Sequence, residues 1–301
     1  MIEADRLTRR YGDFTAVDDV SFRIEPGEIV GLLGHNGAGK TTIMKMLTGA
    51  LEPSSGVVRV DGATLESAPG AVQRQLGYLP ESVPLYPELA VVDYLDYVAQ
   101  LRRLRNAREA VARAVEATDL GEKAMDTIGT LSRGYRQRVG VAQAILHEPS
   151  FLILDEPTNG LDPGQTQHMR QLVRDLAASA TVILSTHIMQ EVGAVCDRVL
   201  ILRDGRLALD ERLDHLQSTN RLTLRTDPAA TVGELDEGTP ENLGGGRWQV
   251  NVDGDLAQAA DRIARQLVAR NVPIHELSPE QRDLETVFRE VSEGGEATHA
   301  V

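Results

Sequence analysis

The chain has 301 residues, a hydrophobic share of 42% and a formal net charge of −14, which suits a folded protein of about two domains and argues against non-specific nucleic-acid binding, since that comes from basic side chains neutralising phosphates. A single cysteine, Cys196, excludes an internal disulfide and a cysteine metal cluster and suits a reduced compartment. No apolar run approaches the ~18 residues of a membrane span, and "MIEADRLTRRYGD" lacks the apolar core of a signal peptide.

Taken in chain order, the first chemistry-bearing element is an apolar strand, "EIVGLL", running into "GHNGAGKT" and then the helical "TTIMKMLTG". This fits G-x-x-x-x-G-K-[ST] at Gly34, Gly39, Lys40 and Thr41. Glycines let backbone N–H groups wrap a β-phosphate, Lys40 places a charge on the β and γ oxygens, and the Thr41 hydroxyl ligates Mg²⁺. Lysine is scarce here, with only Lys40, Lys45 and Lys123, so its place in this loop is informative.

Next comes "LAVVDYLDYVAQLRRL", a helix with Val91, Leu95 and Val98 on one face. That face either packs on the core or docks a partner, together with the surface between Glu81 and Leu104. "LSRGYRQRVGVAQAIL" then places Ser132 and Gly134 where a helix begins, ahead of an apolar face at Val139, Ala142 and Leu146. The unpaired N–H groups and dipole of that first turn make a second anion-binding end. One phosphate cradle already exists, so two such ends in one chain call for an explanation.

"FLILDEP" is a buried strand ending in Asp155 and Glu156. One carboxylate at a strand tip can hold Mg²⁺, and the next, expected to point the other way, can polarise a water near the γ-phosphate. "TVILSTH" ends a later strand at His187, and "DRVLILRDGR" adds another β-rich run. Strands alternating with helical patterns predict a sheet with helices on its faces.

Around Leu216 the rhythm changes. "RLTLRT" and "RWQVNV" read as antiparallel strands, followed by a helix from Asp255 with Ala259, Ile263 and Leu267 and a shorter one with Leu284, Val287, Phe288 and Val291. Residues 218–301 are therefore expected to form a small α+β accessory domain with a frayed tail after Gly294. The segment from Thr219 onward carries a net charge of −7, half the excess, which is read as an acidic solvated face.

Over residues 1–217 these motifs resemble the nucleotide-binding subunit of an ATP-binding cassette (ABC) transporter: P-loop "GHNGAGKTT", signature "LSRGY", Walker B "LILDEP", D-loop "NGLD" and switch histidine "STH", in the family's order and spacing. The resemblance implies an α/β P-loop NTPase fold with a mixed-sheet core, an antiparallel β subdomain and a helical subdomain. It implies ATP and Mg²⁺, bound by the P-loop residues Gly34, His35, Asn36, Gly37, Ala38, Gly39, Lys40, Thr41 and Thr42. Two cassettes, as a homodimer or a mixed pair, would close head to tail, with Ser132 and the Gly134 amide of one on the γ-phosphate of the other, which accounts for the two anion ends. Lys40, Glu156 as general base and His187 as γ-phosphate sensor would be catalytic, and Asp162 would link the two sites. Thr41, Asp155 and Glu81 would surround the metal. Tyr11 sits where the family has an aromatic on adenine, although an ordinary surface tyrosine reads the same.

Three positions depart from the commonest family form: Arg133 for a glycine, Tyr135 for a glutamine, and Glu81 where many members carry glutamine. Glu81 alternatively caps its own loop. "GYLPE", "LSRGYRQR" and "LETVF" are similar to the ATPases of multidrug, antibiotic or gliding-motility-type exporters. That implies an integral membrane permease partner, a place at the cytoplasmic face of the membrane without insertion into it, and no nucleic acid. The alternative is a soluble ABC ATPase acting on the ribosome or DNA. Against it stand a single cassette, an acidic chain, and no long coiled coil between Gly77 and Leu131.

Overall fold

A computed structural model of the chain describes residues 1–293. The chain divides into two compact units, Met1–Leu213 and Asp214–Val301.

The first unit opens with a hairpin, β1 (Ile2–Tyr11) and β2 (Phe14–Ile24), followed by β3 (Ile29–Leu33) and α1 (Lys40–Leu47). Strands β4 (Ser55–Val60) and β5 (Ala63–Thr64) extend the hairpin into an antiparallel sheet of order β2-β1-β4-β5. Helix α2 (Pro69–Gln75) has proline in its first turn, where the missing N–H costs nothing, and leads into β6 (Leu76–Leu79). Helices α3 (Val91–Leu101), α4 (Ala107–Ala117) and α5 (Arg133–Ile145) form a helical layer. The chain then alternates β7 (Phe151–Asp155), α6 (Pro163–Ala177), β8 (Thr181–Thr186) and α7 (Met189–Val195), and the unit closes with β9 (Arg198–Arg203) and β10 (Arg206–Arg212); α8 (Leu213–Gln217) starts at its last residue and runs into the second unit.

The central sheet has the order β10-β9-β3-β8-β7-β6. Strands β9 to β6 are parallel, and β10 folds back antiparallel on β9. Every residue of β3, β7 and β8 is buried, which is why these runs read as continuously apolar rather than alternating. Register matters more than composition here. Leu33 pairs with Thr186 and Asp155 with Ser185, so the C-terminal ends of β3, β8 and β7 stop level with one another. The loops leaving those ends share one rim of the sheet, where ligands of open α/β folds bind. The expected mixed sheet, antiparallel subdomain and helical subdomain are all present.

Val91, Leu95 and Val98 are buried, packed with Val111, Leu120 and Val139 between α3, α4 and α5. The docking alternative for that face is therefore wrong: three helices need an apolar centre, and these residues fill it. The signature helix has the face expected of it, with Val139, Ala142 and Leu146 in the same cluster.

In the second unit β11 (Ser218–Arg225), β12 (Glu241–Gly244), β13 (Arg247–Asn251) and β14 (Glu276–Gln281) form an antiparallel sheet of order β12-β13-β11-β14. Helix α9 (Leu256–Ala269) starts where Asp255 accepts hydrogen bonds from the Ala257 and Gln258 amides, an N-cap. Its Ala259, Ile263 and Leu267 are buried against Leu222, Leu224 and Val250. Helix α10 (Leu284–Glu293) buries Leu284, Val287 and Val291. The frayed tail expected after Gly294 lies outside the described residues. Among the described residues no helix is long and apolar enough to cross a membrane.

Candidate functional site

The rim of the sheet opens into a cleft of about 580 Å³ whose lining includes Tyr11, Asn36, Gly37, Gly39, Lys40, Thr41, Thr42, Glu81, Glu156 and His187. Its floor is the turn between β3 and α1. Gly39 caps α1 with φ 104°, and a methyl group there would lie 2.7 Å from the Ala16 carbonyl, so only glycine closes this turn. The amides of the first turn of α1 consequently start inside the cleft, an anion-binding geometry. Lys40 is 6% exposed. Its Nζ donates to the carbonyls of Gly34 (2.7 Å) and His35 (3.3 Å) and stands 3.6 Å from Glu156 Oε1. Ala38 is buried beneath the loop, with its amide on the His35 carbonyl.

Asp155, the last residue of β7, is fully buried. Its Oδ1 accepts from Ser185 Oγ at 2.5 Å and Thr41 Oγ1 at 3.4 Å, while Oδ2 is buried without a hydrogen-bond partner. A buried, unpartnered carboxylate oxygen beside a threonine hydroxyl is a hard-oxygen donor set. Thr41 and Asp155 therefore fit Mg²⁺ bound the way it is usually held, by one or two carboxylates together with substrate phosphates. Glu81 lies exposed on the rim of the same cleft.

Simple strand alternation would send Glu156 to the opposite side from Asp155, and the structure departs from that expectation. Glu156 leaves the strand with φ 51°, in the left-handed region. Its amide is held by the Ser185 carbonyl (3.2 Å) and hydroxyl (3.0 Å). The turn brings its side chain back to the P-loop lysine, so both carboxylates serve one cleft. Strain of this kind costs on the order of 1–3 kcal/mol and persists where neighbours over-determine it; the two bonds from Ser185 do so here. His187 Nδ1 sits 3.0 Å from Glu156 Oε2 and 3.2 Å from Oε1. When Glu156 is ionised it only accepts, so the contact then takes its proton from Nδ1 and leaves Nε2 for a ligand. Burial pushes the Glu156 carboxyl above its ordinary value, with His187 and then Lys40 pulling it back. A carboxyl held that way is a better proton acceptor than a solvated one.

Tyr11 is 48% exposed at the mouth of the cleft, with the Arg9 guanidinium 4.7 Å from its ring centroid. Sequence reasoning passed over Phe14, Ala16 and Asn159, which also line the cleft, and Ser185. Phe14 pairs with Tyr11 across the β1–β2 hairpin, a placement that an aromatic three residues downstream could have signalled. Ser185 lies inside the quoted "STH" run, but its bridging role depends on strand register.

Ser132, Gly134 and Asp162 do not line this cleft. Ser132 caps α5, accepting from the Tyr135 amide at 3.4 Å, and Asp162 caps α6, accepting from the Gln165 amide at 2.9 Å. The two first turns meet: a methyl group on Gly134 would lie 2.6 Å from Gln165 Oε1. One chain thus presents a triphosphate-sized cradle and, apart from it, a second pair of capped helix starts.

Residues 17–159 match the family described as ABC transporter. The chain is 37% identical over 229 residues to the ABC transporter ATP-binding protein YxlF of Bacillus subtilis, covering 74% of this chain and 76% of that protein. It is 30% identical to the bacitracin transport ATP-binding protein BcrA of Enterococcus faecalis, over 98% of this chain and 97% of that one. Among solved structures, cbiO1 from Clostridium perfringens, part of the ABC transporter complex cbiONQ, superposes with a TM-score of 0.64 at 28% identity, over 70% of this chain and 88% of that chain. With the P-loop lysine, the buried aspartate and the strained glutamate converging in one cleft, the chain belongs to the ABC transporters as an ATP-binding subunit that hydrolyses ATP.

Proposed function

We propose that two such cassettes close head to tail on two ATP molecules and drive an integral membrane permease, as an exporter at the cytoplasmic face of the membrane, with residues 1–217 as the nucleotide-binding domain and 218–301 as an accessory domain.

 The observation that carries this reading is the separation just described: a complete phosphate cradle with its base, and a distinct signature surface that has nothing in its own cleft to grip. A second copy supplies what each surface lacks.

In this reading the amides of Asn36 to Gly39 and the Lys40 ammonium hold the β and γ phosphates. Thr41 and Asp155 hold Mg²⁺, with Glu81 approaching from the rim; the ion, when bound, offsets charge on the phosphate oxygens. Glu156 takes a proton from the water that attacks the γ-phosphorus, the bond to the β–γ bridging oxygen breaks, and ADP and phosphate leave. His187 Nε2 faces the γ-phosphate while Glu156 orients its ring. Tyr11 offers its free ring face to adenine. Ser132 and the Gly134 amide of one copy close over the γ-phosphate of the other, and Asp162 lies between the two sites.

In this reading the permease docks beside α3, where Tyr97 and Leu101 of the helix and Tyr86 just before it are 43%, 63% and 46% exposed although the opposite face of that helix is buried. Leu101 and Arg102 border an open groove of about 460 Å³ with Tyr78 and Thr48. Transport is supported by the similarity to the bacitracin transport protein, and work within a larger transporter complex by cbiO1, part of the ABC transporter complex cbiONQ.

The test is ATP-driven assembly. Glu156→Gln removes the base and leaves both phosphate grips, so it is expected to bind ATP and shift from monomer to dimer in light scattering. A mass that stays monomeric at saturating ATP would refute head-to-tail closure.

A further inference from the structure

The signature of this chain carries an arginine, Arg133, between its phosphate-gripping residues Ser132 and Gly134. Arg133 is exposed, yet its guanidinium rests on a particular place: a methyl group built on Gly160 would overlap it. Gly160 has φ 71° and follows Asn159, which lines the nucleotide cleft. The backbone between Glu156 and Asp162 is a run of tight turns, with the Asn159 amide on the Glu156 carbonyl and the Leu161 amide on the Thr158 carbonyl, both at 3.1 Å. Gly160 therefore sits in a short, internally bonded loop that begins at Glu156.

We infer that Arg133 is a positioning residue that latches the signature turn to the loop carrying this chain's own base. Gly160 makes the latch possible by having no side chain where the guanidinium lies. The neighbouring contact of Gly134 with Gln165 brings the starts of α5 and α6 together beside this loop. When Ser132 and Gly134 engage a nucleotide held by a second copy, the latch carries that event to Glu156. Each site then senses the occupancy of the other through one planar side chain. The inference rests on the head-to-tail reading above.

The test uses the full chain and three variants, Arg133→Ala, Arg133→Lys and Gly160→Ala. ATP binding by dilute monomer, measured by calorimetry, is expected to stay within about twofold of the parent for Arg133→Ala, because the latch touches no phosphate of its own cleft. Steady-state hydrolysis is expected to be sigmoidal in ATP for the parent. In Arg133→Ala the Hill coefficient falls toward unity and kcat drops about fivefold, the lower end of site-to-site coupling. Arg133→Lys keeps the charge but loses the planar cover, and should behave like the alanine variant. Gly160→Ala pushes the guanidinium aside, and the double variant Arg133→Ala/Gly160→Ala should be no worse than either single one, since both remove the same contact. Full activity of Arg133→Lys would assign the effect to charge and overturn the latch, as would an unchanged Hill coefficient in Arg133→Ala. Should Gly160→Ala fail to fold, the Arg133 pair decides alone. If Glu156→Gln never dimerises with ATP, head-to-tail closure fails; if it dimerises and Arg133→Ala keeps its cooperativity, only the latch fails.

Discussion

The two units of this protein differ in where they concentrate buried charge. In Met1–Leu213 the residues Lys40, Asp155, Glu156 and Glu191 are buried, and three of them meet in one cleft. In the second unit the cross-strand pairs Arg221–Glu280 and Arg225–Glu276, at 3.9 and 3.4 Å, lie on the accessible face of its sheet. Glu237, whose side chain is covered, is answered by Arg262 at 2.5 Å. Buried charge is costly unless paired, so its concentration around the P-loop marks where stability was given up for chemistry. Solvated pairs contribute little, about 0–1 kcal/mol each, and they mark a unit held together by its apolar core.

The largest expected effect follows from removing the buried base. Glu156→Gln should lower ATP turnover by roughly 10²–10⁴-fold, with ATP affinity nearly retained, as measured by phosphate release and calorimetry. The parent should gain activity as pH rises through the Glu156 ionisation, because only the ionised carboxylate accepts a proton. Burial moves that rise above the ordinary glutamate value. A fully active Glu156→Gln would place the base elsewhere.

The comparison can be sharpened in the second unit. Ile263 is fully buried against β11 and β13 residues, so Ile263→Ala should destabilise this unit by about 2–5 kcal/mol. Calorimetric scans should show an earlier unfolding step while ATP binding by the first unit is unchanged. A parallel loss of ATP affinity would mean that the two cores are not energetically separate.

A smaller effect concerns His147, outside the cleft. Its Nε2 contacts the Leu76 carbonyl at 3.0 Å, and burial, then Arg102, lowers its pKa to about 4. The unfolded chain binds a proton near pH 6.5 and the folded one does not, so stability is full above about pH 6.5 and falls as the pH drops toward 4. Allowing for solvent screening, the loss is on the order of 2 kcal/mol. Urea melts at pH 7 and pH 4.5 should show His147→Gln, whose amide can still donate to Leu76, losing less stability on acidification than the parent. Equal losses would remove His147 from the acid response.

Much of the first unit was legible because its motifs are local. The P-loop carries its glycines, lysine and threonine within eight residues, and the helix that follows begins where the motif ends. The strands of the central sheet announced themselves as continuous apolar runs because both faces are covered. The side of α3 was not legible: Val91, Leu95 and Val98 suit a docking face and a core equally well until α4 and α5 are seen to close over them. The second unit was legible in its strands and helices through alternation and through the Asp255 cap.

By itself the sequence determined the main elements and the family and put forward the candidate site residues, since these depend on neighbours along the chain and on period. Tertiary structure alone decided how those residues meet. Strand register brought Ser185 to Asp155, a left-handed turn returned Glu156 to Lys40 where alternation would have sent it away, and the approach of the first turn of α5 to the loop before α6 laid Arg133 over Gly160. Each of these contacts joins residues from different elements, and their distance is set by how strands pair and helices pack, which no local pattern encodes.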